Sequence, residues 1–242
     1  MCYHIALTSP AEALEDRFQA QFPDGVEPPV YHHVSAFAHP EVPVITGDQP
    51  QAIQLFRWGL IPGWVKNEDQ ASDLARMTLN ARGDSMFEKP SFKQAAARRR
   101  CLILVDGFYE WMHQGGKKYP FFIQVQQQKP FALGGLWETW TDRETGEVVN
   151  TCSVVTLDAN PLMARIHNTK ERMPFVLPHE VERQWIREDL TRPDVEHLMR
   201  PVDDGYLRVH TVSPLVSQQA RKNTNVPEVH EDYTYAELAE WQ

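Results

Sequence analysis

Cysteine is scarce in this chain. Cys2, Cys101 and Cys152 are the three in 242 residues, too few and too far apart for a disulfide scaffold or a Cys-x-x-Cys metal clamp, so a reduced, cytoplasmic setting is expected. Long apolar runs are missing as well. None approaches the ~20 residues that span a bilayer, and the N-terminal MCYHIALTSP lacks the basic start and apolar stretch of a secretory signal. No membrane partner is expected. There is no internal repeat and no low-complexity linker, and a chain of this length can bury a core without metal or disulfide staples. Positive charge is in deficit, with a net charge of −9, which taken alone speaks against a polyanionic partner because nucleic-acid affinity comes largely from Lys and Arg.

The charge distribution qualifies that last exclusion. Between Arg76 and Lys118 nine basic residues (Arg76, Arg82, Lys89, Lys93, Arg98, Arg99, Arg100, Lys117, Lys118) face four acidic ones (Asp84, Glu88, Asp106, Glu110). The segment is +5 and the rest of the chain −14. A basic face on an acidic protein is compatible with phosphate binding, and equally with an ordinary solvated helix end. The last fifteen residues, 228–242, hold five acids and no Lys or Arg, which reads as a solubilising acidic tail behind a domain of residues 1–227.

Local patterns place the elements. Ser9-Pro10-Ala11-Glu12 has the form of a capping box with proline at the first helical position, and Leu14, Phe18 and Phe22 follow at intervals of four, predicting a helix over 10–22. Residues 23–50 contain six prolines between short apolar pieces, which suits edge strands and loops. Beyond them come short apolar runs bounded by turn residues: 102–105, 121–125, 131–133, 152–157 and 207–212. Helices are expected near 91–99, 179–188 and 193–199. The fold class predicted is a single α+β domain with a mostly antiparallel, barrel-like β-sheet core and peripheral helices.

Several familiar site patterns fail on spacing. His179-Glu180 begins like a zincin helix but lacks the second His four residues on. Gly115-Gly116-Lys117 lacks the first glycine and the strand context of a phosphate loop. His32 and His33 are adjacent, so on a strand they point to opposite faces. No metal site and no cofactor is implied. Cys2 is different: were Met1 removed, it would carry an α-amine (pKa ~7.7–8.0) and a thiol (pKa ~8.5) on adjacent carbons, both partly available as nucleophiles at neutral pH. A 1,2-aminothiol of this kind captures aldehydes. The amine condenses to an imine and the thiol closes onto the imine carbon as a five-membered thiazolidine.

Thr78-Leu79-Asn80-Ala81-Arg82, the run Arg98 to Trp111 with its Gly107-Phe108-Tyr109-Glu110-Trp111, and Ile166-His167-Asn168 followed by Arg172-Met173-Pro174, all behind a position-2 cysteine, together resemble the SRAP family (SOS response-associated peptidase family). Arg57-Trp58-Gly59-Leu60-Ile61-Pro62-Gly63-Trp64 and Val212-Ser213-Pro214 fit the same pattern, so the resemblance runs from Cys2 to about Val226. It implies covalent attachment to abasic sites in single-stranded DNA. Cys2 would be the covalent residue, and His167 the group exchanging protons near neutrality on the sugar side. Glu110 would accept a hydrogen bond from the α-amine and assist proton transfer, and Asn80 would orient Cys2. Arg82 and Arg172 would hold phosphates, with Thr156 as a further phosphate contact, and Trp64 and Trp111 would stack on bases.

Two departures from the family pattern stand out. Members commonly begin Cys-Gly-Arg, whereas here Tyr3 and His4 follow Cys2, which removes a phosphate-binding arginine. The segment between His167 and Arg172 is also longer than usual. Two other readings remain open at this level: an N-terminal-nucleophile thiol peptidase or amidohydrolase, and a noncatalytic single-stranded-DNA-binding module in which Cys2 is incidental. A monomer is expected.

Overall fold

The computed structural model describes residues 2–126, 130–218 and 222–241; the expected removal of Met1 lies outside the described residues. Among the described residues thirteen strands form two sheets. The larger contains β3 (Glu41–Thr46), β4 (Gln54–Trp58), β5 (Asn80–Arg82), β6 (Arg100–Val105), β9 (Phe131–Thr141), β10 (Val148–Asp158), β11 (Arg172–Pro174) and β12 (Val176–Leu177). Its order β10-β4-β3-β6-β9 closes on itself because β9 also pairs with β10. The second sheet runs β13-β8-β7-β1-β2, with β1 (His4–Leu7), β2 (Tyr31–Ser35), β7 (Gly107–Gln114), β8 (Lys117–Val125) and β13 (Leu207–Thr211). Every strand pairing is antiparallel except those of β10 with β4 and β5. The expected α+β, mostly antiparallel, barrel-like architecture is what the chain adopts.

Closure of the barrel depends on two glycines of β9. A Cβ on Gly134 would lie 2.5 Å from the Phe175 ring, and one on Gly135 would lie 2.7 Å from Ile103 and 2.8 Å from the Cys101 sulfur. Space that side chains would occupy is filled by neighbours instead. Cys101 and Cys152 are both fully buried in the main core with Phe56, Trp58, Ile103 and Val154. The Gly115-Gly116 pair, with φ of 57° and 76°, makes the left-handed two-residue turn between β7 and β8 that a hairpin favours.

Among the described residues six α-helices flank the sheets: α1 (Ala11–Phe18), α2 (Glu68–Met77), α3 (Lys93–Arg98), α4 (Pro161–Ile166), α5 (His179–Trp185) and α6 (Arg192–Leu198). α1 is shorter than its apolar spacing predicts. Pro10, not Ser9, is its N-cap, and Gln19 enters the left-handed region to end it. Ser9 is committed elsewhere: the buried Asp106 carboxylate accepts from the Thr8 and Ser9 backbone N–H groups at 2.6 and 2.8 Å and from both hydroxyls at 2.9 and 2.6 Å. α2 buries only Ala71 and Ala75, which leaves no large apolar stripe to read in the sequence. α4 has an Asn160 N-cap and Pro161 at its first position but a single turn and a half of helix, too short for periodicity to register.

The acidic stretch 228–242, expected to extend as a tail, lies along the domain over its described length. Val229 and Leu238 are buried, and Lys117 pairs with Glu237 at 2.7 Å. Asp232 bridges Val212 at the end of β13, while upstream Asn225 bonds the Val30 carbonyl and the His32 N–H at the β2 edge. No helix among the described residues is long and apolar enough to cross a membrane.

Asp106→Ala leaves two buried N–H groups without an acceptor, at about 1–3 kcal/mol each. Urea unfolding should show a loss of about 3 kcal/mol or more, against near-wild-type stability for substitution of the exposed Asp48.

Candidate functional site

β1 and β7 are antiparallel neighbours, with Ile5 opposite Phe108 and Ala6 opposite Gly107. Continued one strand-length further, this register carries residues 2–4 alongside 109–111. Cys2 is completely buried. Burial and then the nearby Glu110 carboxylate both push its thiol pKa well up. Glu110, 4% exposed, is itself pushed up to about 7 by burial, partly offset by a hydrogen bond from the Trp111 N–H.

His167 caps the C-terminus of α4 and is also buried. Its Nδ1 lies 2.8 Å from the Arg172 carbonyl oxygen and 3.3 Å from the Arg172 backbone nitrogen, and its Nε2 lies 3.9 Å from Glu110 Oε2. Burial lowers the His167 pKa to about 4, with the charges of His113 and Lys170 acting in the same direction. Desolvation disfavours whichever form is charged, so it moves a carboxyl up and an imidazole down. Burial thus brings the Glu110 carboxyl towards neutrality and takes the His167 imidazole away from it.

Both face a cavity of about 540 Å³ whose wall also includes Tyr3, His4 and Trp111. His4 Nδ1 is 2.9 Å from His33 Nε2, and His33 Nδ1 is 2.7 Å from the Thr224 hydroxyl, while the His4 ring lies edge-on to Trp111 at 4.8 Å. Burial holds His4 down to about 3 and His33 down to about 4. The residue standing where relatives commonly have arginine thus brings no charge. The His4-His33-Thr224 chain was not legible in sequence, since it joins strands through residues 29 and 191 positions apart.

Arg82, Thr156 and Arg172 come together on β5, β10 and β11, where Arg82 is opposite Thr156 and Arg172 opposite Asp158. Arg172 is 6% exposed. Its guanidinium donates to Asp158 at 2.5 Å and to the Thr156 carbonyl at 2.7 Å, and lies 3.6 Å from Asp84. Arg82 pairs with Asp84 in the open. Thr156 is fully buried, its hydroxyl 3.3 Å from Arg172, so it braces Arg172 and does not face solvent. The longer segment before Arg172 is absorbed by a tight return: the Lys170 and Glu171 N–H groups bond the His167 carbonyl, and Glu171 takes a φ of 50°. Arg172 consequently stays in register with β10.

Asn80 and Trp64 do not belong to the cavity wall. Asn80 nevertheless has both amide atoms buried without a hydrogen-bond partner, an unmet demand on β5. Trp64 is 41% exposed, and Trp111 donates its indole N–H to Ser217 at 2.8 Å. Of the basic segment, Arg100 is buried with its guanidinium on the carbonyls of Ala96, Ala97 and Trp185, and Arg99 pairs with Glu138. The expected continuous basic face is dispersed. Among the described residues no three His, Cys, Asp or Glu side chains converge as a metal cage.

A fully buried cysteine at the head of the chain lies near a carboxyl that lines a cavity together with an imidazole, in a site built partly from the N-terminal strand. A family model described as SOS response associated peptidase (SRAP) matches residues 1–219, and the chain belongs to that family. Abasic site processing protein YoqW of Bacillus subtilis (strain 168) is 33% identical over 234 residues, which cover 95% of this chain and 100% of YoqW. Abasic site processing protein HMCES of Xenopus tropicalis is 31% identical over 194 residues, 72% of this chain and 56% of HMCES. A crystal structure of a protein from Bacteroides thetaiotaomicron superposes with a TM-score of 0.88 at 33% identity, covering 96% of this chain and 100% of that one. One from Bordetella bronchiseptica, at 23% identity and a TM-score of 0.75, shares the fold.

The Glu110 shift has a sign that stability measurements can read. A carboxyl held at about 7 in the fold against an ordinary 4.5 adds no cost below 4.5, an increasing cost between the two values, and its full cost above 7, on the order of 3 kcal/mol. Glu110→Gln should therefore be more stable than wild type at pH 8 in urea unfolding, with the difference vanishing towards pH 4.5.

Proposed function

We propose that the protein processes abasic sites in single-stranded DNA, as a monomer, by bonding covalently to the lesion through Cys2 after loss of Met1. The observation that carries this reading is the pair of buried titratable groups near the cysteine: Glu110, pushed up to about 7, and His167, whose Nε2 lies 3.9 Å from Glu110 Oε2. The relatives named as abasic site processing proteins supply the substrate class.

The chemistry balances without a cofactor. Neutral His167 accepts the anomeric hydroxyl proton of the deoxyribose and returns it to the ring oxygen, which exposes the aldehyde. The Cys2 amine adds to that carbon, and Glu110 relays the two amine protons in turn to the carbonyl oxygen, the first giving the carbinolamine hydroxyl and the second expelling it as one water with formation of the imine. The thiol then adds across the C=N bond, its sulfur to carbon and its proton to nitrogen, giving the thiazolidine. Burial raises the thiol pKa, so this last step draws on Glu110 to receive the thiol proton and pass it to nitrogen. Arg82, in an exposed pair with Asp84 worth little in water, is free to exchange that partner for a phosphate. Arg172 orders Asp84 and Asp158 around it, Trp64 and Trp111 offer base-stacking faces, and the unpaired Asn80 amide awaits a partner from the ligand or the freed N-terminus.

Untagged protein incubated with an oligonucleotide bearing one abasic site should give a band surviving denaturation and a mass equal to both components less one water. Cys2→Ala, or a tag left before Cys2, should abolish it, while an adduct surviving the tag would indicate simple thiol addition. Adduct formation should rise with pH through a midpoint of about 7, the value held by Glu110. Glu110→Gln should slow it by on the order of 100-fold and move the midpoint up to the ~7.7–8.0 of the amine. An unmoved midpoint would remove Glu110 from the proton transfers.

A further inference from the structure

The wall of the same cavity carries two lysines whose ammonium groups have been given no ligand so far. Lys118, on β8, and Lys170, in the return after α4, both line it together with Glu110 and His167. Their placement is built. Lys118 stands directly across from His113 in the β7–β8 ladder. The Asn168 side chain accepts from the His113 N–H at 3.0 Å and donates to the His113 carbonyl at 2.8 Å. This two-point staple ties residues 168–170 to the strand pair that presents Lys118.

The charges around the site show why these two matter. Arg82 faces Asp84, Arg172 is held by Asp158, Arg99 by Glu138 and Lys117 by Glu237, and His4 is neutral at physiological pH. Among the described residues, Lys118 and Lys170 are the cations on the cavity wall with no carboxylate against them.

We propose that Lys118 and Lys170 form a second phosphate site, taking a backbone phosphodiester flanking the abasic sugar and replacing the charge that position 4 lacks. Asn168 is its positioning residue. The assignment rests on the DNA reading above, and it locates the strand between two anchors, Arg82 on one side of the lesion and the lysine pair on the other.

The test measures equilibrium binding of an undamaged single-stranded oligonucleotide and, separately, adduct formation with its abasic counterpart, each as a function of salt. For Lys118→Gln/Lys170→Gln, the slope of log affinity against log salt should fall by about 0.7, equivalent to about a fivefold weaker affinity at 0.1 M salt relative to the 1 M limit. The oligonucleotide concentration giving half-maximal adduct should rise by the same factor. Lys117→Gln, which removes a lysine already paired with Glu237, should move neither. An unchanged slope in the double variant, with wild type still forming the adduct, overturns the lysine site alone. Absence of adduct in wild type overturns the proposed reaction, while the binding arm still reads the lysines.

Discussion

Everything in the site follows from keeping water away from one carboxyl group. Glu110 lies in the middle of the smaller sheet, on a strand flanked by β1 and β8. In that position its proton is held to about neutrality. The same exclusion of water that lifts Glu110 depresses His167 and raises Cys2. At pH 7 the cluster is close to charge-neutral, and a neutral cluster tolerates burial where a charged one would not. The closed barrel behind it supplies the rigid wall on which such a cluster can be held.

Much of this was legible in the sequence, and the parts that were not share a cause. The β-rich pattern followed from short apolar runs, and the grouping of Cys2, Glu110 and His167 was implied by the family resemblance. α2 escaped because its buried face is two alanines, and α1 was overextended because Phe22 continues the spacing of Leu14 and Phe18 although the chain has already turned at Gln19. Ser9 looked like a helix cap and serves Asp106 instead, ninety-seven residues away. The titration ranges of His167 and Glu110 escaped for the same reason. A side chain's ordinary titration range is a property of its type, whereas its range in the fold is set by neighbours that only the tertiary structure assembles.

Charge shows the same division. The sequence locates a basic segment, but the fold distributes its members into distinct tasks: Arg100 closes helix carbonyls in the core, Arg99 balances Glu138, and Lys118 reaches the cavity. An acidic protein can address a polyanion when a small number of cations are placed and the others are neutralised locally, because long-range attraction is screened within about 8 Å at physiological salt.

The stretch from Asn225 to Asp232 meets both outer strands of the smaller sheet, β2 through Asn225 and the end of β13 through Asp232. Those strands would otherwise present unpaired backbone groups, the usual template for intermolecular pairing. The stretch therefore works as a selvedge, a finished border that keeps the weave from joining another copy of itself. Without that border the smaller sheet would carry two open hems, and the expected fault is self-association.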